Sequence, residues 1–416
     1  MQGRFASASA QRCPSFPAHA KLETMPQTAT NAPAPKMDAA DTLGSVTADI
    51  ARRVLDLKPY QPGKPIEEVK RELGLTGEIV KLASNENPLG PSPAALAALN
   101  DALPKLALYP DGGCHDLRAA VAAKLAVPGD HLIFGNGSDE VITLLGVTFL
   151  QPGDEVVIGD PTFVLYEAAA VVNGARAVKV PLTRPGFVHD LAAMADAVTE
   201  RTRLVFIANP HNPTGTMVDR QAIDALLARL PSRALLVLDE AYGEYVEAAD
   251  YPRALDYVRE GAPVVGLRTF SKMYGLAGLR VGYGIANPRL IALMNQPRSP
   301  FNVNLAAQIA ATAAINDDAF VDRARQTNDE GRQVLEAAFS RLGLPFTPTF
   351  ANFILVDVKQ PCRPVFDALL RRGVIVRTGD VFGLPTHLRV TIGTPGQNAR
   401  FVDALEAVLG NIAPAA

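Results

Sequence analysis

The stretch Leu235-Leu236-Val237-Leu238-Asp239-Glu240-Ala241-Tyr242 decides how this chain folds. Four aliphatic residues in a row, without polar alternation, describe a strand buried on both faces, as in a parallel sheet covered by helices. The carboxylate that follows stands where the chain leaves the strand, and a buried carboxylate needs a cationic or hydrogen-bonding partner. That partner is either a ligand's cation, the backbone of a helix N-terminus, or a structural ion pair. Tyr242 is either a donor into the same place or a core tyrosine.

Reading outward from this run, apolar segments bounded by Gly, Pro and Asp recur at 131–134, 155–159, 175–180, 203–208 and 264–268, separated by helix-like stretches. This alternation predicts an α/β fold around a mostly parallel sheet over residues 91–300. Asn209, Asp239 and Ser271 all follow the carboxyl ends of such strands, where ligands bind in open α/β sheets. After Pro300 the pattern shifts to longer helices near 303–315 and 317–342, then strands at 352–357, 374–377 and 387–392. A smaller α+β domain over 301–416 is expected there. Residues 46–90 are expected to pack with it and to carry the polar run Ser84-Asn85-Glu86-Asn87-Pro88 towards the cleft. Residues 1–45, rich in Ala, Pro, Ser and Thr, are expected to be disordered. Arg4, Arg12 and the serines hint at a transit peptide, but Pro14, Pro17 and Glu23 spoil an amphipathic helix, and a start at Met25 or Met37 is the alternative.

The composition narrows the function classes. The chain has 416 residues, 48% of them hydrophobic, and a net charge of −3, which gives no broad basic field for nucleic acid. No apolar run is long enough to span a membrane. Cys13, Cys114 and Cys362 lack CxxC spacing, and the six histidines form no HExxH pair. Neither a disulfide framework nor a metal site is suggested, and a reducing cytoplasm fits. Small molecules or a second copy of the chain are the expected partners.

The chemistry concentrates in Thr269-Phe270-Ser271-Lys272-Met273-Tyr274-Gly275-Leu276-Ala277-Gly278-Leu279-Arg280. A Schiff-base lysine needs an amine able to shed its proton, and an anionic cofactor beside it needs hydroxyl donors and a fixed guanidinium. The run reads as a place to hold pyridoxal phosphate, or, taken alone, as a basic turn on a solvated face. Asp239 is then the candidate partner of a pyridinium nitrogen. Asn212, held between Pro210 and Pro213, is either a donor to the cofactor's phenolic oxygen or plain turn chemistry. Gly137 and Ser138, opening a helix after a strand, suit a phosphate or a simple cap. Phe163 is a stacking candidate or a core aromatic. Tyr109 offers its hydroxyl to a phosphate. Arg377 and Arg389 lie in or beside apolar strands, where a guanidinium needs an anion, whether substrate or structural carboxylate.

Together GNGSDE, NPHNPTG, LDEAY and SKMYGLAGLR, in that order, resemble the fold type I aminotransferases of the class I/II superfamily. Within it, Leu82-Ala83-Ser84-Asn85-Glu86-Asn87-Pro88-Leu89-Gly90-Pro91-Ser92-Pro93, with LYPDG, ANFILV and LRVTIGT, is similar to the histidinol-phosphate aminotransferases over about residues 54–410. The resemblance implies a homodimer that binds pyridoxal 5′-phosphate through Lys272, Asp239, Asn212, Tyr242, Gly137, Ser138, Thr269, Ser271 and Arg280, with Phe163 on the ring and Tyr109 reaching in from the other subunit. Many relatives have tyrosine where Phe163 stands. Tyr60, Asn87, Arg377 and Arg389 are the implied substrate contacts. The implied reaction passes the amino group of L-histidinol phosphate to 2-oxoglutarate. Transamination of phenylalanine or tyrosine, and decarboxylation of threonine phosphate, are the rival activities on the same scaffold. A cofactor-binding DNA regulator would need a helix-turn-helix, which residues 1–45 do not supply.

Overall fold

The computed structural model describes Leu57 and residues 64–411. Tyr60 and the stretch 1–45 lie outside the described residues. In chain order the strands are β1 (Val80–Lys81), β2 (Leu132–Gly135), β3 (Glu155–Asp160), β4 (Arg176–Pro181), β5 (Thr202–Ala208) and β6 (Leu235–Asp239). They continue as β7 (Val264–Thr269), β8 (Gly282–Ile285), β9 (Phe353–Asp357), β10 (Val374–Ile375), β11 (Arg377–Thr378) and β12 (His387–Thr391).

A seven-stranded sheet runs in the order β2-β8-β7-β6-β5-β3-β4. The pairs from β7 through β4 are parallel, and β8 is antiparallel to both its neighbours. Side chains of β6 alternate between two cores: Leu235 and Val237 join one, Leu236 and Leu238 the other. β5 does the same, with Leu204 and Phe206 on one face and Val205 and Ile207 on the other. An unbroken apolar run is therefore the pattern this sheet requires, because helices cover both faces. Strand β8 was not expected from the sequence: Gly-Tyr-Gly-Ile has two glycines and little intrinsic strand preference.

A three-stranded antiparallel sheet, β11-β12-β9, lies in the C-terminal part and packs on the helices Asp318–Arg341, Cys362–Arg371 and Pro395–Asn411. The strand expected at 374–377 is divided. Val374 and Ile375 pair in parallel with Val80 and Lys81, while Arg377 and Thr378 pair with Arg389 and Leu388. One short run thus joins two different sheets. Val80 and Leu82 enter the C-terminal core, so the chain from β1 is anchored there before it runs on towards the large sheet.

The turn at Gly90 and the loop after Lys272 press together at Gly275, which has φ +69° and leaves room for no side chain. A Cβ there would lie 2.0 Å from the Gly90 carbonyl oxygen. Both the left-handed backbone and the contact with main chain oppose any substitution. Gly275→Ala is expected to destabilise the protein by on the order of 3 kcal/mol, read from urea unfolding.

Candidate active site

The parallel arrangement brings the carboxyl ends of β2, β3, β5, β6 and β7 to one edge of the sheet. Gly137, Phe163, Asn212, Tyr242 and Lys272 each follow one of these ends within a few residues. Asp239 is the last residue of β6 and is buried, with 5% of its surface exposed. One of its oxygens accepts from the Tyr166 hydroxyl at 2.6 Å and the other from the Ala241 amide at 3.1 Å. Among the described residues it has no cationic partner within ion-pair distance. Burial pushes its pKa up to about 6, against the opposing pull of the Tyr166 hydrogen bond. A buried carboxylate of this kind is suited to a cation brought by a ligand.

Lys272 follows the exit of β7, the strand paired with β6. Its Nζ donates to the Ser84 carbonyl at 3.2 Å and sits 5.7 Å from the centre of the Tyr242 ring. The Tyr242 hydroxyl accepts from Asn85 Nδ2 at 2.9 Å, and burial raises its pKa. Asn85 is fixed in turn, since its amide N–H donates to Thr391 Oγ1 and its carbonyl accepts from Asn352 Nδ2.

On the other side of Lys272, Arg280 donates to Ser271 Oγ at 3.4 Å, to the Ala277 carbonyl at 3.1 Å and to Asp139 at 3.0 Å. Gly137 has φ +79°, and a Cβ on it would stand 2.7 Å from Arg280 Nη2. Glycine is what lets the guanidinium lie over the first turn of the helix Ser138–Phe149. A helix N-terminus, two serines and a guanidinium at one spot form a cradle for an anion. Thr269 contributes by accepting from the Ser271 amide, which holds that turn.

Asn212 Oδ1 accepts from Arg389 Nη1 at 2.6 Å, and Arg389 Nη2 donates to the Ala83 carbonyl at 2.9 Å. Arg377 is directly opposite Arg389 in the β11–β12 register, and both are buried. Below the Asn212 turn, His211 bonds Thr214 through Nδ1 at 2.8 Å and packs edge-on against His189. Burial drives the pKa of His211 well down and that of His189 to about 4, so this support is neutral.

Phe163 is half-buried and packs edge-on against Tyr166. Asn87 uses its side chain locally, donating to the Met273 carbonyl and accepting from the Leu89 amide, and so ties the 84–90 segment to the lysine loop. Tyr109 stands apart from the cluster, 83% exposed and stacked on Phe301. Sequence reasoning missed Tyr166, Asn85 and the carbonyls of Ala83 and Ser84. Asn85 lies in the polar run already singled out. Tyr166 carried no signal, because a tyrosine in an apolar helix reads as core.

The match to known proteins agrees with this geometry. Residues 77–405 match the family described as aminotransferase class I and II. The chain belongs to the class I and II aminotransferases. It is 58% identical to the histidinol-phosphate aminotransferase of Moorella thermoacetica over 357 residues, 86% of this chain and 92% of that one. It is 48% identical to that of Symbiobacterium thermophilum, covering 87% and 99% of the two chains. Among solved structures, the Sinorhizobium meliloti histidinol-phosphate aminotransferase in complex with pyridoxal-5′-phosphate superposes with a TM-score of 0.79 at 27% identity, over 87% of this chain and 98% of that one.

The shifted carboxyl group makes a test of Asp239 possible in the cofactor-free aminotransferase. Its folded pKa lies above its unfolded one, so the folded state holds the proton more tightly between about pH 4 and 6, and stability falls as pH rises through that window. The loss amounts to on the order of 3 kcal/mol. Asp239→Asn is expected to remove this slope in denaturant unfolding followed from pH 4 to 7; an identical slope in both proteins would contradict the assigned burial.

Proposed function

We propose that this aminotransferase transfers the amino group of L-histidinol phosphate to 2-oxoglutarate, using pyridoxal 5′-phosphate, in L-histidine biosynthesis. The observation that carries the reading is the 58% identity to a histidinol-phosphate aminotransferase across 357 residues, a span that takes in the lysine, the buried aspartate and the anion cradle. When bound, pyridoxal 5′-phosphate supplies a carbonyl that takes up the amino group and a ring that accepts the electron pair left on the substrate carbon.

The chain's own residues divide the remaining work. Asp239 would keep a proton on the ring nitrogen, and a cation there reverses the desolvation that otherwise raises its pKa. Asn212 and Tyr242 would face the phenolic oxygen. Gly137, Ser138, Ser271 and Arg280, with Thr269 behind them, would hold the phosphate. Lys272 Nζ would anchor the cofactor and then move the proton on and off the substrate carbon that bears nitrogen. Phe163 would cover one ring face.

Histidinol phosphate has no α-carboxylate, whereas glutamate does, so one cationic spot has to accept phosphate in one half-reaction and carboxylate in the other. Arg389, which donates to Asn212, and Arg377, opposite it across β11 and β12, are the candidates, with Tyr60 and Asn87 completing the set. Guanidinium groups suit this dual duty because their forked donors match either oxyanion.

The exposed strip Leu103, Leu106, Leu108 and Tyr109, with Phe301 stacked on Tyr109, supports a homodimer in which Tyr109 reaches the second copy's phosphate cradle. Among the described residues no helix is long and apolar enough to cross a membrane. Cys114 and Cys362 are free, in keeping with a place in the cytoplasm.

Lys272→Ala is expected to lower glutamate formation from histidinol phosphate and 2-oxoglutarate by at least about a thousandfold. Arg389→Ala is expected to raise KM for histidinol phosphate about ten- to hundredfold while the cofactor stays bound, as judged by its visible absorbance. Faster turnover of phenylalanine than of histidinol phosphate would replace the substrate assignment, and carbon dioxide release from threonine phosphate without a keto acid would replace the reaction. Leu108→Glu is expected to shift the sedimentation of the protein from dimer to monomer; an unchanged profile would move the subunit contact elsewhere.

A further inference from the structure

Away from the site, a cavity of about 130 Å³ is lined by Arg371, Arg372 and Arg400 together with Leu75, Gly77 and Glu78. Gly373 and Ile79, at its base, lead directly into β10 and β1. Arg400 Nη2 lies over the turn, 2.9 Å from where a Cβ on Gly373 would stand. Among the described residues, no carboxylate and no carbonyl accepts from any of the three guanidinium groups. Glu78 lines the same cavity without forming an ion pair. Three guanidinium groups without an acceptor line one small concavity, and their unused donors suit an oxyanion. The C-terminal end of the helix Cys362–Arg371 favours cations at this turn, and Arg400, from the helix Pro395–Asn411, reaches the same place with Nη2 over Gly373.

We propose that this pocket binds a multiply charged oxyanion, either inorganic phosphate or the phosphate group of a small metabolite, and that the anion staples residues 75–79 to 371–373. The site goes beyond the proposed reaction and does not depend on its substrate. Its consequence for the active site runs along the main chain. Val80 and Leu82 donate their amides to the carbonyls of Gly373 and Ile375, and the next three residues hold Arg389, Lys272 and Tyr242. Bound anion therefore steadies the segment that positions those three side chains.

The test uses the cofactor-loaded protein at constant ionic strength, replacing chloride by inorganic phosphate, and follows both the thermal midpoint and hydrogen exchange at the Val80 and Leu82 amides. Wild type is expected to show a saturating rise in midpoint and protection. A doubly substituted R371Q/R372Q protein and a single R400Q protein should each need about tenfold more phosphate or beyond. Arg371 and Arg372 are exposed, so the double variant keeps the test valid if R400Q fails to fold. Phosphate bound at the catalytic arginines affects all three proteins alike and cancels in the comparison. Repeating the titration with glycerol phosphate separates the two sources: tighter binding than inorganic phosphate points to a metabolite, weaker binding to the free ion. Identical curves for wild type and both variants, or a rise without saturation, would overturn the proposal.

Discussion

The desolvation of one carboxylate at the end of the central strand governs this site. Asp239 is buried by the packing that makes β6 a strand, and no side chain among the described residues offers it a compensating cation. Tyr166 and the Ala241 amide satisfy its oxygens without neutralising it, and its pKa stays raised. A site arranged in this way gains most from a ligand that carries a positive charge to that point. Tyr166, stacked on Phe206 in the core, is fixed by packing and so holds the carboxylate in one orientation.

A second constraint comes from three consecutive residues. The Ala83 carbonyl receives Arg389, the Ser84 carbonyl receives Lys272, and the Asn85 side chain donates to Tyr242. These partners come from a C-terminal strand, from the exit of β7 and from the exit of β6. A single extended segment therefore sets the spacing between the Arg389 guanidinium, the Lys272 amine and the Tyr242 hydroxyl. Main-chain acceptors suit this task because side-chain substitution leaves them in place. The segment itself is held by β10 at one end and by Asn87 against Met273 at the other.

Much of this was legible in the sequence. The strands that precede each segment of the candidate site, and the helices Leu305–Ala314 and Asp318–Arg341, lie close to where periodicity puts them, because burial on one or both faces writes itself directly into the apolar pattern. Strand β8 and the division of 374–378 between two sheets were not legible. Gly282 and Gly284 carry no strand signal, and the register of a two-residue strand depends on which partner is nearby, a property of the assembled chain.

What the sequence determined by itself is the inventory: a lysine among hydroxyls and glycines, a carboxylate at the end of an apolar strand, an amide held between prolines, and two arginines in apolar surroundings. Each of these is costly or pointless in isolation, and that cost makes it readable. The tertiary structure decided which groups meet. Arg389 and Asn212 are 177 positions apart, Asn85 and Thr391 are 306 apart, and Tyr166 and Asp239 are 73 apart. No local preference encodes such pairs. They follow from a parallel sheet that gathers its carboxyl ends at one edge, and from a strand exchange that carries Ala83, Ser84 and Asn85 across to that edge.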